Sequence, residues 1–109
     1  MHQYLNFLQN ELTDFSSLYS DPGLYGGGWH IQKSGDKLNL HLDNSIHAKN
    51  HLVRKLNLII YLNSSWEEDW GGNLGFWENK DASKPGELME SIVPIFNRAV
   101  IFDTSMNSW

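Results

Sequence analysis

The sequence predicts an α+β fold that is mainly β, with one N-terminal amphipathic helix packed on an antiparallel sheet that closes into a sandwich or barrel. Three observations predict it. Apolar residues recur at three- and four-residue intervals near the N-terminus, the spacing of one helix face. From Trp29 onward they tend to alternate at period two, which sends successive side chains to opposite faces of a strand. Between the alternating runs lie Gly, Pro, Asn and Asp residues, which turn a chain between short strands. One helix followed by roughly six short strands is a layered arrangement of helix on sheet.

Taken in order, residues 4–19 carry Leu5, Leu8, Leu12, Phe15 and Tyr19 as one helical stripe. Asp21-Pro22-Gly23 ends that helix, because proline removes a backbone donor and glycine admits positive φ. Gly26-Gly27-Gly28 continues the irregular stretch. Residues 29–32 read as a strand, and Lys33-Ser34-Gly35-Asp36 as a turn into the next. There Leu38, Leu40 and Leu42 alternate with Asn39, His41 and Asp43, so an aliphatic face backs a polar one. Residues 44–52 read as a polar loop. The strongest strand signal runs from Arg54 to Asn63, with Leu56, Leu58, Ile60 and Leu62 on one face and Asn57, Ile59 and Tyr61 on the other. That second face is expected to line a cavity. A loop, SSWEEDWGG, leads to a strand over 73–77, a solvated hairpin-like excursion over 78–90, and two last strands over 91–95 and 99–102.

A chain of 109 residues suffices for one domain, taken here as residues 1–109. A formal charge of −5, with no basic cluster longer than Arg54-Lys55, argues against nucleic acid as a partner. The N-terminus lacks a basic start and a continuous apolar run, the features of a signal peptide or membrane span. A cytoplasmic location follows as the default. The absence of cysteine excludes disulfides and thiolate ligands, so any metal would be held by histidine and carboxylate.

His41 and Asp43 stand two apart on one predicted strand, projecting from the same face with Cβ atoms about 7 Å apart, so that both can reach one ion. With a second histidine they would form a two-His, one-carboxylate face, which leaves positions open on Fe(II) for cosubstrate and dioxygen. His-x-Asp arises easily by chance in a chain with five histidines. By itself it identifies nothing.

The wider succession is far more specific. Gly35-Asp36, Leu40-His41-Leu42-Asp43, Arg54 to Asn63, Trp66, Gly71-Gly72-Asn73-Leu74, Val93-Pro94 and Asn97 to Phe102 appear in an order and spacing that resemble the prolyl 4-hydroxylase-like 2-oxoglutarate and Fe(II)-dependent oxygenases. The resemblance runs from about Ile31 to the last residue. It implies a double-stranded β-helix of the jelly-roll or cupin-like kind, with His41 and Asp43 as the first two iron ligands. Tyr61 matches a position whose hydroxyl binds the far carboxylate of 2-oxoglutarate in several relatives, and Ile59, Leu74 and Phe102 match apolar walls of that pocket. Fe(II) and 2-oxoglutarate are the implied cofactors, with ascorbate an optional addition. The implied reaction couples oxidative decarboxylation of 2-oxoglutarate, giving succinate and CO₂, to hydroxylation of a prolyl or other peptide side chain or of a small molecule.

Relatives carry the second metal-binding histidine a few residues beyond the equivalent of Phe102, then a final strand with a basic residue for 2-oxoglutarate. The sequence ends at Trp109, so the third ligand is expected just after it and the final strands are expected to be missing. His30, His47 and His51 are the internal alternatives, expected to be solvated, and Arg54 and Arg98 are expected to be structural or solvated rather than to replace the missing base. The acidic, Trp-rich loop 64–70 fits either the mouth of the pocket or an exposed turn with packed rings. Two rival readings remain: a noncatalytic cupin or jelly-roll ligand-binding module, in which His41 and Asp43 would face solvent, and a pseudoenzyme fragment. A lost sheet edge would favour a homodimer through the exposed strand. A two-ligand site holds iron weakly, so the 109-residue chain is expected to show little or no turnover; succinate formation dependent on both Fe(II) and 2-oxoglutarate would refute this.

Overall fold

The computed structural model describes residues 27–43, 46, 52–81, 83–104 and 109. The predicted helix over 4–19, its stop at Asp21-Pro22-Gly23 and the loop histidines His47 and His51 lie outside the described residues. By its internal contacts the chain divides into two compact units, Met1–Ile31 and Gln32–Trp109. The second contains every strand described here.

Four strands form two antiparallel ladders. Strand β1 is Leu56–Ile60, β2 is Leu74–Trp77, β3 is Leu88–Ile92 and β4 is Ala99–Asp103. β1 pairs with β4, while β2 pairs with β3 in a hairpin nested between them in sequence. The described part is thus mainly β, in keeping with a jelly-roll-like fold. Its first ladder sets Asn57 opposite Phe102 and Ile59 opposite Val100 on one face, and Leu56 opposite Asp103 and Leu58 opposite Ile101 on the other. Beyond the ladder the pairing continues, Thr104 N donating to Lys55 O (2.8 Å) and Tyr61 N to Arg98 O (2.9 Å).

Val100 and Thr104 are buried on this face. A buried hydroxyl needs a partner, and Thr104 Oγ1 finds one by donating to Arg54 O at 3.0 Å. Across the same end Lys55 Nζ bonds Asp103 Oδ2 at 2.7 Å. The opposite face is more open, Ile60 and Ile101 both being exposed. The two ladders meet where Phe76 of β2 packs edge-to-face on Phe102 of β4, with centroids 5.1 Å apart and planes at 70°.

The strands differ from the sequence reading in three places. No ladder includes residues 29–32 or 37–43 among the described residues. Alternation favours extended backbone, but a strand also needs a partner's donors and acceptors, and Leu38 and Leu40 remain exposed. The predicted strand over 91–95 lies instead at 88–92, because Pro94 has no N–H to donate and the last turn of the 78–90 excursion is taken up into the hairpin. Within that excursion Ser83 N and Oγ both donate to Asp81 Oδ1 at 2.9 Å, which holds the Asp81 carboxyl below its ordinary value.

Loop 64–73 has packed rings. Glu68–Trp70 forms a single 3₁₀ turn, Trp66 meets Trp70 edge-on at 5.5 Å, and Trp66 Nε1 donates to Gly71 O at 3.1 Å. Gly71 and Gly72 both have positive φ, 74° and 72°, the left-handed backbone that glycine adopts without cost in a tight turn leading into β2. A Cβ at Gly72 would stand 3.1 Å from the Trp66 ring. Left-handed backbone costs a residue with a Cβ about 1–2 kcal/mol, so Gly72→Ala is expected to lower stability by about that amount in urea denaturation, with a change in Trp fluorescence; unchanged stability would contradict this account.

Candidate metal and cosubstrate site

His41 and Asp43 converge. The Nε2 of His41 lies 3.1 Å from Oδ1 of Asp43. On its other side the His41 ring makes a 2.7 Å hydrogen bond from Nδ1 to the carbonyl oxygen of Asn39. A carbonyl can only accept, so Nδ1 carries the proton and Nε2 is left to face the carboxylate. Two acceptors this close require a proton or a cation between them. Two ligand atoms each about 2.1 Å from a divalent cation and at right angles to one another lie about 3 Å apart. The nitrogen–oxygen donor set fits Fe(II), and the spacing fits either a shared cation or a direct His41–Asp43 hydrogen bond.

The other carboxylate oxygen is also held. Asn57 Nδ2, from the middle of β1, donates to Asp43 Oδ2 at 3.0 Å in a partly buried position. Asp43 therefore sits over the β1 face that carries Asn57 and Ile59 and continues to Tyr61. Phe102 and Val100 share that face by ladder register, and Phe102 touches Phe76, which lies two residues from Leu74 on β2. Of the four residues expected at the cosubstrate, Ile59 and Phe102 lie on the β1–β4 ladder, Leu74 on the β2–β3 ladder and Tyr61 just beyond β1, all partly buried.

Burial pushes the Tyr61 phenol above its ordinary value, and the positive charge of Arg98 offsets part of this. The hydroxyl is neutral at physiological pH and able to donate. Arg98 is engaged elsewhere, its Nη1 donating to Val93 O at 2.8 Å, so it has the structural role expected for it. His30 is exposed. No group of three or more metal-binding side chains occurs among the described residues, and no helix among them is long and apolar enough to cross a membrane.

The residues that sequence reasoning left without a role are Asn57, Thr104 and Phe76. Asn57 had a visible signal, a polar side chain on the same strand face as Ile59 and Tyr61. Thr104 and Phe76 had none, since their importance rests on strand pairing between distant segments.

Comparison with known proteins decides the family. The profile of the 2OG-Fe(II) oxygenase superfamily matches residues 27–109. This chain belongs to that superfamily. It is similar to the mouse (Mus musculus) protein named prolyl 3-hydroxylase OGFOD1, 33% identical over 52 residues, which cover 48% of this chain and 10% of that protein. The Xenopus laevis protein of the same name is 35% identical over 52 residues, with the same coverage of each chain. The chain matches only about a tenth of the length of these curated relatives. No solved structure matches significantly. As an oxygenase-superfamily member of prolyl hydroxylase-like kind, the chain has the family affiliation that its motif order implies.

The Phe76–Phe102 contact is expected to couple the two ladders energetically. A double-mutant cycle of Phe76→Leu and Phe102→Leu in chemical denaturation should give an interaction energy of about 0.5–1.5 kcal/mol; strict additivity would show that the rings do not join the ladders.

Proposed function

We propose that His41 and Asp43 are two ligands of a mononuclear Fe(II) centre and that 2-oxoglutarate binds beside them, its far carboxylate at Tyr61 and its carbon chain against Ile59, Leu74 and Phe102. The observation that carries this reading is the 3.1 Å approach of His41 Nε2 to Asp43 Oδ1. It brings the two side chains together, as the oxygenase reading requires, whereas the noncatalytic binding module would have both facing solvent; Asp43 is half-buried and His41 is exposed.

Bound iron supplies the activation of dioxygen and the oxidative decarboxylation of 2-oxoglutarate that families of this kind perform. The chain's own residues hold and shape the site. His41 presents Nε2 because its Nδ1–H is committed to Asn39 O. Asp43 presents Oδ1 because Oδ2 is committed to Asn57. The neutral Tyr61 hydroxyl offers a hydrogen bond to an incoming carboxylate, and the apolar walls keep water from competing for it. Phe102, opposite Asn57 in the β1–β4 register and edge-to-face on Phe76, joins the two ladders.

The product of this arrangement is a hydroxylase, and we propose a peptidyl side chain of the prolyl class as its substrate. Support comes from the names of the two relatives and from the order of motifs shared with prolyl hydroxylases. The SSWEEDW loop has no part in this proposal, since its rings pack on one another and on the Gly71-Gly72 turn.

On this reading of His41 and Asp43 as two ligands, the purified 109-residue chain is expected to bind Fe(II) or Mn(II) weakly and saturably. His41→Ala and Asp43→Ala should each abolish that binding as followed by calorimetry under anaerobic conditions. Binding that survives both substitutions would place the metal elsewhere and remove the basis for this function.

A further inference from the structure

We infer that Asn57 is a positioning residue that sets the orientation of the Asp43 carboxylate, so that one oxygen is kept for the metal and the other is excluded from it. The inference rests on the metal-centre reading above and adds a residue to it.

The two partners differ in how firmly they are built. Asn57 stands in the middle of β1, opposite Phe102, with ladder pairs on either side. Its backbone is fixed by the sheet and its side chain is half-buried. Asp43 belongs to a segment that enters no ladder among the described residues. Nothing in its own backbone pairing determines which way its carboxylate turns.

A free carboxylate can rotate about its last torsion, a broad and roughly two-fold one, and can present either oxygen or both to a cation. The Asn57 amide removes this freedom. An ionised carboxylate only accepts, so the amide must face it with its NH₂ group, and the 3.0 Å bond falls on Oδ2. Oδ1 is then the oxygen that meets His41 Nε2. Monodentate binding keeps coordination positions open, which an oxygenase needs for its cosubstrate and dioxygen. Partners that orient ligating carboxylates in this way commonly contribute about 10–100-fold to metal affinity.

The same logic applies to His41, whose ring is fixed by Asn39 O, but there a backbone carbonyl does the work and no side-chain substitution removes it. Asn57 is the side chain that can be tested.

The test uses the whole 109-residue chain with Mn(II) and, separately, Co(II) as probes. Asn57→Leu keeps the branched shape and the number of side-chain heavy atoms and removes the donor. It is expected to weaken Mn(II) binding, read from the free-ion electron paramagnetic resonance signal, by about 10–100-fold. It should also alter the visible d–d absorption of the Co(II) complex at saturation while leaving the far-UV circular dichroism unchanged. If Asn57→Leu fails to fold, Asn57→Ala, which removes the amide without adding apolar bulk, has the same expected outcome. Wild-type affinity and spectrum in a folded variant would overturn the role of Asn57 and leave the metal centre standing. So would a drop in thermal stability with an unchanged Co(II) spectrum, the mark of a merely structural residue. Metal binding unaffected by His41→Ala and Asp43→Ala would overturn the metal centre and this inference together.

Discussion

Everything at the site depends on the pairing of β1 with β4. The ladder joins segments far apart in the chain, with contacts such as Thr104 to Arg54 spanning 50 residues and Lys55 to Asp103 spanning 48. Closing such a loop costs entropy, although the cost grows only slowly, by about 0.6 kcal/mol for each doubling of length. Opposing it are the ladder hydrogen bonds, the burial of Val100 and the satisfied hydroxyl of Thr104. Because side chains alternate strictly along a strand, a slip of one residue would turn Asn57 and Phe102 to the wrong face. The ends of the ladder oppose such a slip, one with the Lys55–Asp103 ion pair and the Thr104 hydroxyl, the other with the reciprocal bonds of Tyr61 to Arg98 and Asn97.

On that foundation the site divides its work between a rigid wall and an attached segment. The wall is the β1–β4 face carrying Asn57, Ile59, Phe102 and, just beyond the strand, Tyr61. Among the described residues, the segment carrying His41 and Asp43 is tied to the wall by a side-chain bond and enters no ladder. In the proposed function such a division would let the cosubstrate meet a fixed surface while His41 and Asp43 are aimed by individual hydrogen bonds.

Much of this was legible from residue order. Alternation over 54–63 identifies β1 and the inward-facing set Asn57, Ile59 and Tyr61, because a half-buried strand sorts its side chains by face. The pairing of His41 with Asp43 follows from the same period of two. The roles of Asn57 and Thr104 are a different matter. Each depends on which distant segment comes alongside, and a strand's pattern states which face is inward without naming its neighbour. Leu38, Leu40 and Leu42 show the converse: their alternation is as regular as that of β1, yet no ladder forms there among the described residues. The register of β3 is set by Pro94 and by the hairpin, both visible locally, but the apolar run over 92–95 outweighs them when hydrophobic pattern alone is weighed.

The nesting of the β2–β3 hairpin within the β1–β4 pair has a kinetic meaning. The hairpin closes over the ten residues from Glu78 to Glu87, and hairpins of that kind form in about 1–10 μs. Once formed, it pins together the two ends of a segment that would otherwise be loose, shortening the loop that β1 and β4 must close. Long-range pairing is the slow event in folding of this type. The face that carries Asn57, Ile59 and Phe102 is therefore assembled late, after the hairpin has brought its own Phe76 into place to receive it.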